Sequence, residues 1–301
     1  MRRRAHKKPS QQGIIMPHSE ALEMNAQEML EKFEKFLGGI PLDWYREELM
    51  TVKTVEQNLS KELNPLPFIY KYYWIPQNPS NFPSYEDFFT QWWEEHLNPL
   101  DDFISKYLWG CSYQFVKLGF KARIYRTFIS VLTQFHFAYT WLAHCKQPLE
   151  ASAELDMKGI DALVKFQDAE VALQVKKQTY RSEARGAGRF AKRAPQAQLT
   201  VEVPYTLIRG SMKKRTGKQE EKKEHKLLRN LAKDFQNWLP NGFVVFKPEY
   251  PLYVEQLVDA KVKNKVEGII SWNELLDSYL TSKSKKSKTP ANSPNASTPS
   301  C

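Results

Sequence analysis

Cysteine is scarce in this 301-residue chain, which carries only Cys111, Cys145 and Cys301. The count is odd and no CxxC pair occurs, which argues against a disulfide framework and a structural zinc site. A cytoplasmic setting fits such unpaired thiols. Long apolar runs are missing too. The most apolar stretch, Phe128 to Cys145, contains Ser130, Thr133, Gln134, His136 and Thr140. A membrane-spanning helix rarely holds that polar load, so the stretch reads as a buried helix of a soluble protein. No apolar segment follows Arg2, Arg3 and Arg4, so they do not read as the start of a signal peptide. No internal repeat is visible.

Aromatic residues and positive charge are plentiful. Seventeen Phe, fourteen Tyr and eight Trp within a 42% hydrophobic composition are enough to bury a sizeable core. The formal net charge of +10 points to a polyanionic partner, nucleic acid before others.

Residues 1–25 are basic and aperiodic and read as a disordered N-terminal extension, with Met16 and Met24 as alternative starts. Residues 283–301 are Ser, Lys, Pro, Asn and Thr, too polar to offset chain entropy, and read as a tail. Between them lies one domain, 26–282. Met29, Leu30, Phe33, Phe36 and Leu37 recur at helical spacing, and Gly38-Gly39 stops that helix. Ser84 with Asp87 opens another at capping-box spacing, with Phe88, Phe89, Trp92 and Trp93 as a core stripe and Pro99 as its end. A long amphipathic helix is expected over Ala122 to His144. His136 and His144 on it have no third ligand at matching spacing, so they read as core or edge residues.

The period then changes to two. Ile160, Ala162, Val164 and Phe166 alternate with Asp161, Leu163 and Lys165, and after a short turn Val171, Leu173 and Val175 alternate with Ala172, Gln174 and Lys176. This predicts an antiparallel hairpin. Val201, Val203 and Tyr205 suggest a further strand. Leu227, Leu228, Leu231, Phe235 and Trp238 suggest a helix face, and Gly242 to Phe246 a buried strand.

An antiparallel pairing brings Asp161 beside Gln174 and Lys176, with Asp156 in the entry to the strand. These are the groups that phosphodiester hydrolysis needs: carboxylates for a divalent cation and a lysine beside the attacking water. The Val175 carbonyl offers one more oxygen. Alternation favours Lys176 as the catalytic lysine, and a bulge would exchange it with Lys177. Gln174 is a neutral amide, and Asp156 or Glu154 is the candidate compensating acid.

The Asp161, Gln174-x-Lys176 pattern resembles the PD-(D/E)xK nuclease superfamily. Five collinear segments narrow the resemblance to TaqI-type restriction endonucleases: Thr54 to Pro67 (TVEQNLSKELNPLP), Leu132 to Cys145 (LTQFHFAYTWLAHC), Glu154 to Leu163 (ELDMKGIDAL), Leu173 to Phe190 (LQVKKQTYRSEARGAGRF) and Asn241 to Phe246 (NGFVVF). The resemblance implies an α/β restriction-endonuclease-like core, a mixed sheet flanked by helices. A helical part over 26–150 would precede a catalytic hairpin over 156–177 and a DNA-contacting and C-terminal part over 178–282. It implies Mg²⁺-dependent cleavage of double-stranded DNA at the palindrome TCGA leaving 5′-phosphates, and a cognate DNA methyltransferase. It places metal and catalytic roles on Asp156 and Asp161 and a third on Lys176 or Lys177. A palindrome calls for a homodimer or two encounters by a monomer, of which the homodimer is expected.

Arg181, Arg185 and Arg189, spaced by four and interleaved with glycine, suit DNA contact beside the hairpin together with Gln174. The run from Lys213 to Lys223 is interspersed with Glu220 and Glu221 and reads as a solvated, salt-bridged face. Two rival readings stay open: a superfamily nuclease acting in repair or on junctions, and a catalytically inactive basic DNA-binding protein.

Overall fold

The computed structural model describes residues 25–55, 57–74, 82–166, 169–179, 197–207 and 223–286. The N-terminal extension, Arg181, Arg185, Arg189 and the basic run up to Lys222 lie outside the described residues. The fold is a mixed α/β arrangement in which a helical N-terminal part leads into a five-stranded sheet.

Helix α1 (Ala26–Gly38) starts at a reciprocal cap. The Asn25 side chain accepts from the Glu28 N–H at 2.9 Å, and the Glu28 carboxylate accepts from the Asn25 N–H at 3.3 Å. Its Leu30, Phe33 and Leu37 are buried, as their spacing predicts. After a short helix α2 (Leu42–Trp44), a π turn over Tyr45–Leu49 and α3 (Leu66–Tyr73), Ser84 caps α4 (Tyr85–Glu95). Pro99 does not end α4. It lies in the first turn of α5 (Leu97–Tyr107), where the N–H it lacks would have no intrahelical partner.

Helix α6 (Tyr113–His144) is capped by Ser112 and starts nine residues earlier than the apolar pattern suggests, because its first turns carry exposed Phe115 and Leu118. It is not amphipathic toward its end. From Val131 to Trp141 every residue but Gln134 is buried. Helices α1, α3 and α4 pack on it, and so do β1 (Leu149–Glu150), β6 (Val244–Phe246) and α9 (Glu249–Lys263). Tyr139 alone packs against Phe33 at 4.7 Å and Trp74 at 4.8 Å between ring centroids.

The expected hairpin forms from β2 (Ala162–Phe166) and β3 (Ala169–Lys177), antiparallel with Ala162 opposite Leu173. The sheet order is β1-β2-β3-β4-β7, with β4 (Leu199–Tyr205) parallel to β3 and β7 (Gly268–Ile270) parallel to β4. Helix α8 (Lys223–Phe235) buries Leu227, Leu228, Leu231 and Phe235. Trp238 is not on that helix: it ends β5 (Gln236–Trp238), which pairs with β6 in a separate ribbon. Helix α10 (Trp272–Lys286) runs into the segment expected as tail, and Lys283 reaches Asp234 at 2.9 Å. Among the described residues no helix is long and apolar enough to cross a membrane.

One buried polar residue ties three elements together. His136, with no solvent exposure, places Nε2 at 2.9 Å from Glu34 of α1, while its Nδ1 accepts from the Phe246 N–H of β6 at 3.2 Å. The backbone donor fixes the tautomer, with the proton on Nε2. Burial lowers the pKa of this imidazole, against the opposing pull of Glu34. The unfolded chain takes up a proton near pH 6.5 and the folded one only below that, so stability is full above about pH 6.5 and falls as the pH drops. Replacing His136 by Ala leaves a cavity and two unanswered polar groups. It is expected to cost about 2–4 kcal/mol in urea unfolding at pH 7.5. It should also flatten the loss of stability between pH 6.5 and 5, and an unchanged slope would refute the buried neutral imidazole.

Candidate active site

The site begins with a short helix. Ser152 caps α7 (Ala153–Met157), its side chain accepting from the Leu155 N–H at 3.3 Å. Asp156 lies on this helix and not on the hairpin itself. The chain then reverses through Gly159 at φ +84°, with the Gly159 N–H donating to the Asp156 carbonyl at 2.8 Å and the Ile160 N–H to the Leu155 carbonyl at 2.9 Å. Only glycine takes that conformation without strain. The reversal delivers Asp161 to the head of β2, where its N–H joins the ladder at the Leu173 carbonyl, 3.1 Å away.

Asp161 also uses its side chain to extend the ladder. Its Oδ2 accepts from the Val175 N–H at 2.6 Å. Gln174 faces Asp161 across the hairpin and donates its amide Nε2 to the Gly159 carbonyl. The amide therefore holds the turn between the two acids, a task that a carboxylate, which only accepts, would not perform. Lys176 lies on the same face two residues on. The β3–β4 register is unbroken from Val171 to Lys177, so no bulge exchanges the lysines, and Lys177 points to the opposite face. Partial burial pulls the Lys177 pKa below the ordinary lysine value.

Two further residues join the site. Tyr70 of α3, buried against Phe135 at 4.7 Å, directs its hydroxyl to Asp156 Oδ2 at 3.5 Å. No local pattern betrays Tyr70, which is 86 residues away in sequence. Glu202 of β4 stands opposite Gln174 in register and meets Lys176 at 2.7 Å. Strand alternation carried that signal, since Glu202 sits between inward Val201 and Val203.

Burial raises Asp156 to about 6, with the Tyr70 hydroxyl opposing. Asp161 is raised to about 8, first by burial and then by the charge of Asp156, while the Val175 N–H and Lys176 pull it down. Two acids so placed do not both ionise readily at neutral pH unless positive charge joins them. The face thus offers carboxylate oxygens and an ammonium, suited to an electrophilic phosphorus centre and its charge.

A family model described as TaqI restriction endonuclease matches residues 30–259. The Type II restriction enzyme TthHB8I of Thermus thermophilus is 45% identical over 259 residues, covering 85% of this chain and 97% of that protein. The Type II restriction enzyme TaqI of Thermus aquaticus is 43% identical over 267 residues with the same coverage. A solved structure of metal-depleted Ecl18kI with uncleaved, modified DNA aligns over 90% of this chain and 88% of that chain at 13% identity. Its TM-score of 0.18 supports no argument.

The geometry makes two predictions. In cation-free protein the unfolded Asp161 ionises near pH 3.8 and the folded one near 8, so its contribution is full below about pH 4 and is lost as the pH rises through 8. Asp161→Asn keeps an acceptor for Val175 and sheds the charge. It should stabilise the protein in chelator at pH 8 by on the order of 2 kcal/mol after discounting for solvent screening, seen as a higher melting temperature, and not at pH 4. Gln174→Glu loses the donor to Gly159 and adds repulsion. Urea unfolding at pH 8 should then report a loss of about 1–3 kcal/mol, and no loss would mean that the amide does not hold the turn.

Proposed function

The chain belongs to the TaqI restriction endonuclease family and is a type II restriction endonuclease, and on that premise we propose that it hydrolyses duplex DNA at the palindrome TCGA with Mg²⁺, leaving 5′-phosphate ends. The convergence of Asp161, Asp156 and Lys176 on one face carries this reading. The donor set fits a small hard cation, because its groups are carboxylate oxygens whose mutual repulsion a divalent charge relieves. Asp161 and Asp156 would hold the ion, with the Val175 carbonyl as a further oxygen. Such a cation supplies charge neutralisation at the phosphate and acidifies a water.

The chain's own groups have separate tasks. The Val175 N–H fixes one oxygen of Asp161, which leaves the other for the ion. The Tyr70 hydroxyl steadies Asp156. The Lys176 ammonium orients the attacking water and offsets the charge that gathers on phosphorus in the transition state. Lys177, on the other face, is assigned no catalytic part. Arg181, Arg185 and Arg189 are assigned to the duplex, where a guanidinium matches the O6 and N7 of guanine and TCGA offers one guanine per strand. Two equivalent half-sites favour a homodimer. The activity implies a DNA methyltransferase that protects host sites.

Incubating the protein with plasmid DNA and Mg²⁺ tests the reading, and discrete fragments ending at TCGA are expected. Smearing, or cutting of junctions alone, would place the enzyme on another substrate. No cutting with any divalent metal would mark a DNA-binding protein without catalysis. Asp161→Ala and Lys176→Met should each lower the single-turnover rate by about 100-fold or more with duplex binding retained. Lys177→Met should cut within a few-fold of wild type.

A further inference from the structure

The pattern on the site face leaves a charge unaccounted for. Gln174 is neutral and its amide N–H is committed to the Gly159 carbonyl. On the next strand, in register with Gln174, stands a carboxylate that the nuclease motif does not include: Glu202. Its Oε1 lies 2.7 Å from the Lys176 ammonium, and its Oε2 accepts from the Trp272 N–H at the start of α10, 3.3 Å away. Both carboxylate oxygens are therefore engaged. The pair is largely shielded, with side-chain exposures of 31% for Lys176 and 22% for Glu202.

We infer that Glu202 is a positioning residue, holding the Lys176 ammonium at the site face from a strand the motif does not include. The inference rests on the assignment of Lys176 as the catalytic lysine. Lysine is a point charge on a flexible four-carbon stem, which samples many rotamers when free. Asp161 alone would attract the ammonium from one side, in competition with a cation. Glu202 attracts it from the side of β4, so the ammonium keeps a carboxylate partner when Asp161 is engaged elsewhere. The anchor is firm because Glu202 is itself held by the first turn of α10, a helix end that favours negative charge. Glu202 is distinct from the ion-holding acids. Its two oxygens face Lys176 and the Trp272 N–H.

Glu202→Gln tests this, since the amide oxygen still accepts from Trp272 while the charge on Lys176 is gone. In cation-free protein, acylation of Lys176 followed by peptide mass spectrometry should become several-fold faster, with Lys177 as the unaffected internal reference. Single-turnover kcat with Mg²⁺ should fall by about 10- to 100-fold, with KM and the Ca²⁺-supported affinity for duplex within about twofold. Glu202→Asp, which keeps the charge one methylene short, should recover part of both effects and stands in should the first variant fold poorly. Unchanged acylation with an unchanged rate would overturn the inference. So would a tenfold loss of Ca²⁺ affinity, which would make Glu202 a metal ligand. Wild-type cutting by Lys176→Met would instead refute the assignment beneath it, whatever the acylation result.

Discussion

Two buried carboxylates sit where the charge of Asp156 makes Asp161 harder to ionise, and the local structure is organised around keeping them there. Asp156 and Asp161 approach because the chain reverses through Gly159 between a helix and a strand. Left alone, like charges in a half-buried setting would separate or take up protons. Here each is tied down by a donor from elsewhere, Asp161 by the Val175 N–H and Asp156 by the Tyr70 hydroxyl, and the turn between them by the Gln174 amide. None of these donors cancels the repulsion. They hold the geometry and leave the electrostatic strain in place.

The strain is tolerable because the scaffold is over-determined. Helix α6 is a 32-residue column buried through its second half between the N-terminal helices and the strand β6. Phe135 of that column backs Tyr70, and His136, its neighbour, joins α1 to β6. The residue that backs Tyr70 and the residue that locks the fold are thus adjacent on one helix. Packing in the helical part is transmitted to the acid pair through Tyr70, so the helices before the sheet take part in the site's geometry.

Sequence periodicity revealed the hairpin and the face carrying Asp161, Gln174 and Lys176, because side chains on a strand alternate with a period of two and one face is buried. The cap at Ser84 was legible for the same local reason. What escaped depends on partners distant in sequence. Pro99 reads as a stop in isolation, yet it lies in the first turn of a new helix that starts two residues after the last one ends. Trp238 continues the apolar spacing of α8, but pairing with β6 draws the chain into a strand. Residues Lys283 to Lys286 look like tail by composition, and the helix continues through them. Tyr70 shares no pattern with Asp156. Glu202 was readable as an outward strand position, but its partner is fixed only by the parallel β3–β4 pairing.

Gln174 brings these strands of argument together. By the motif alone an amide at that position weakens cation binding, and the missing acid has to be sought among Asp156 and Glu154. The geometry gives the amide a reason of its own, since a donor is needed where the Gly159 carbonyl faces β3. A carboxylate there would repel both that carbonyl and two acids already raised in pKa by burial. One strand over, a negative charge does no such harm, because at Glu202 it meets the Lys176 ammonium and the start of α10. The departure from the motif is therefore a redistribution. The hydrogen-bond donor sits beside the turn that requires one, and the charge sits beside the lysine that must be held.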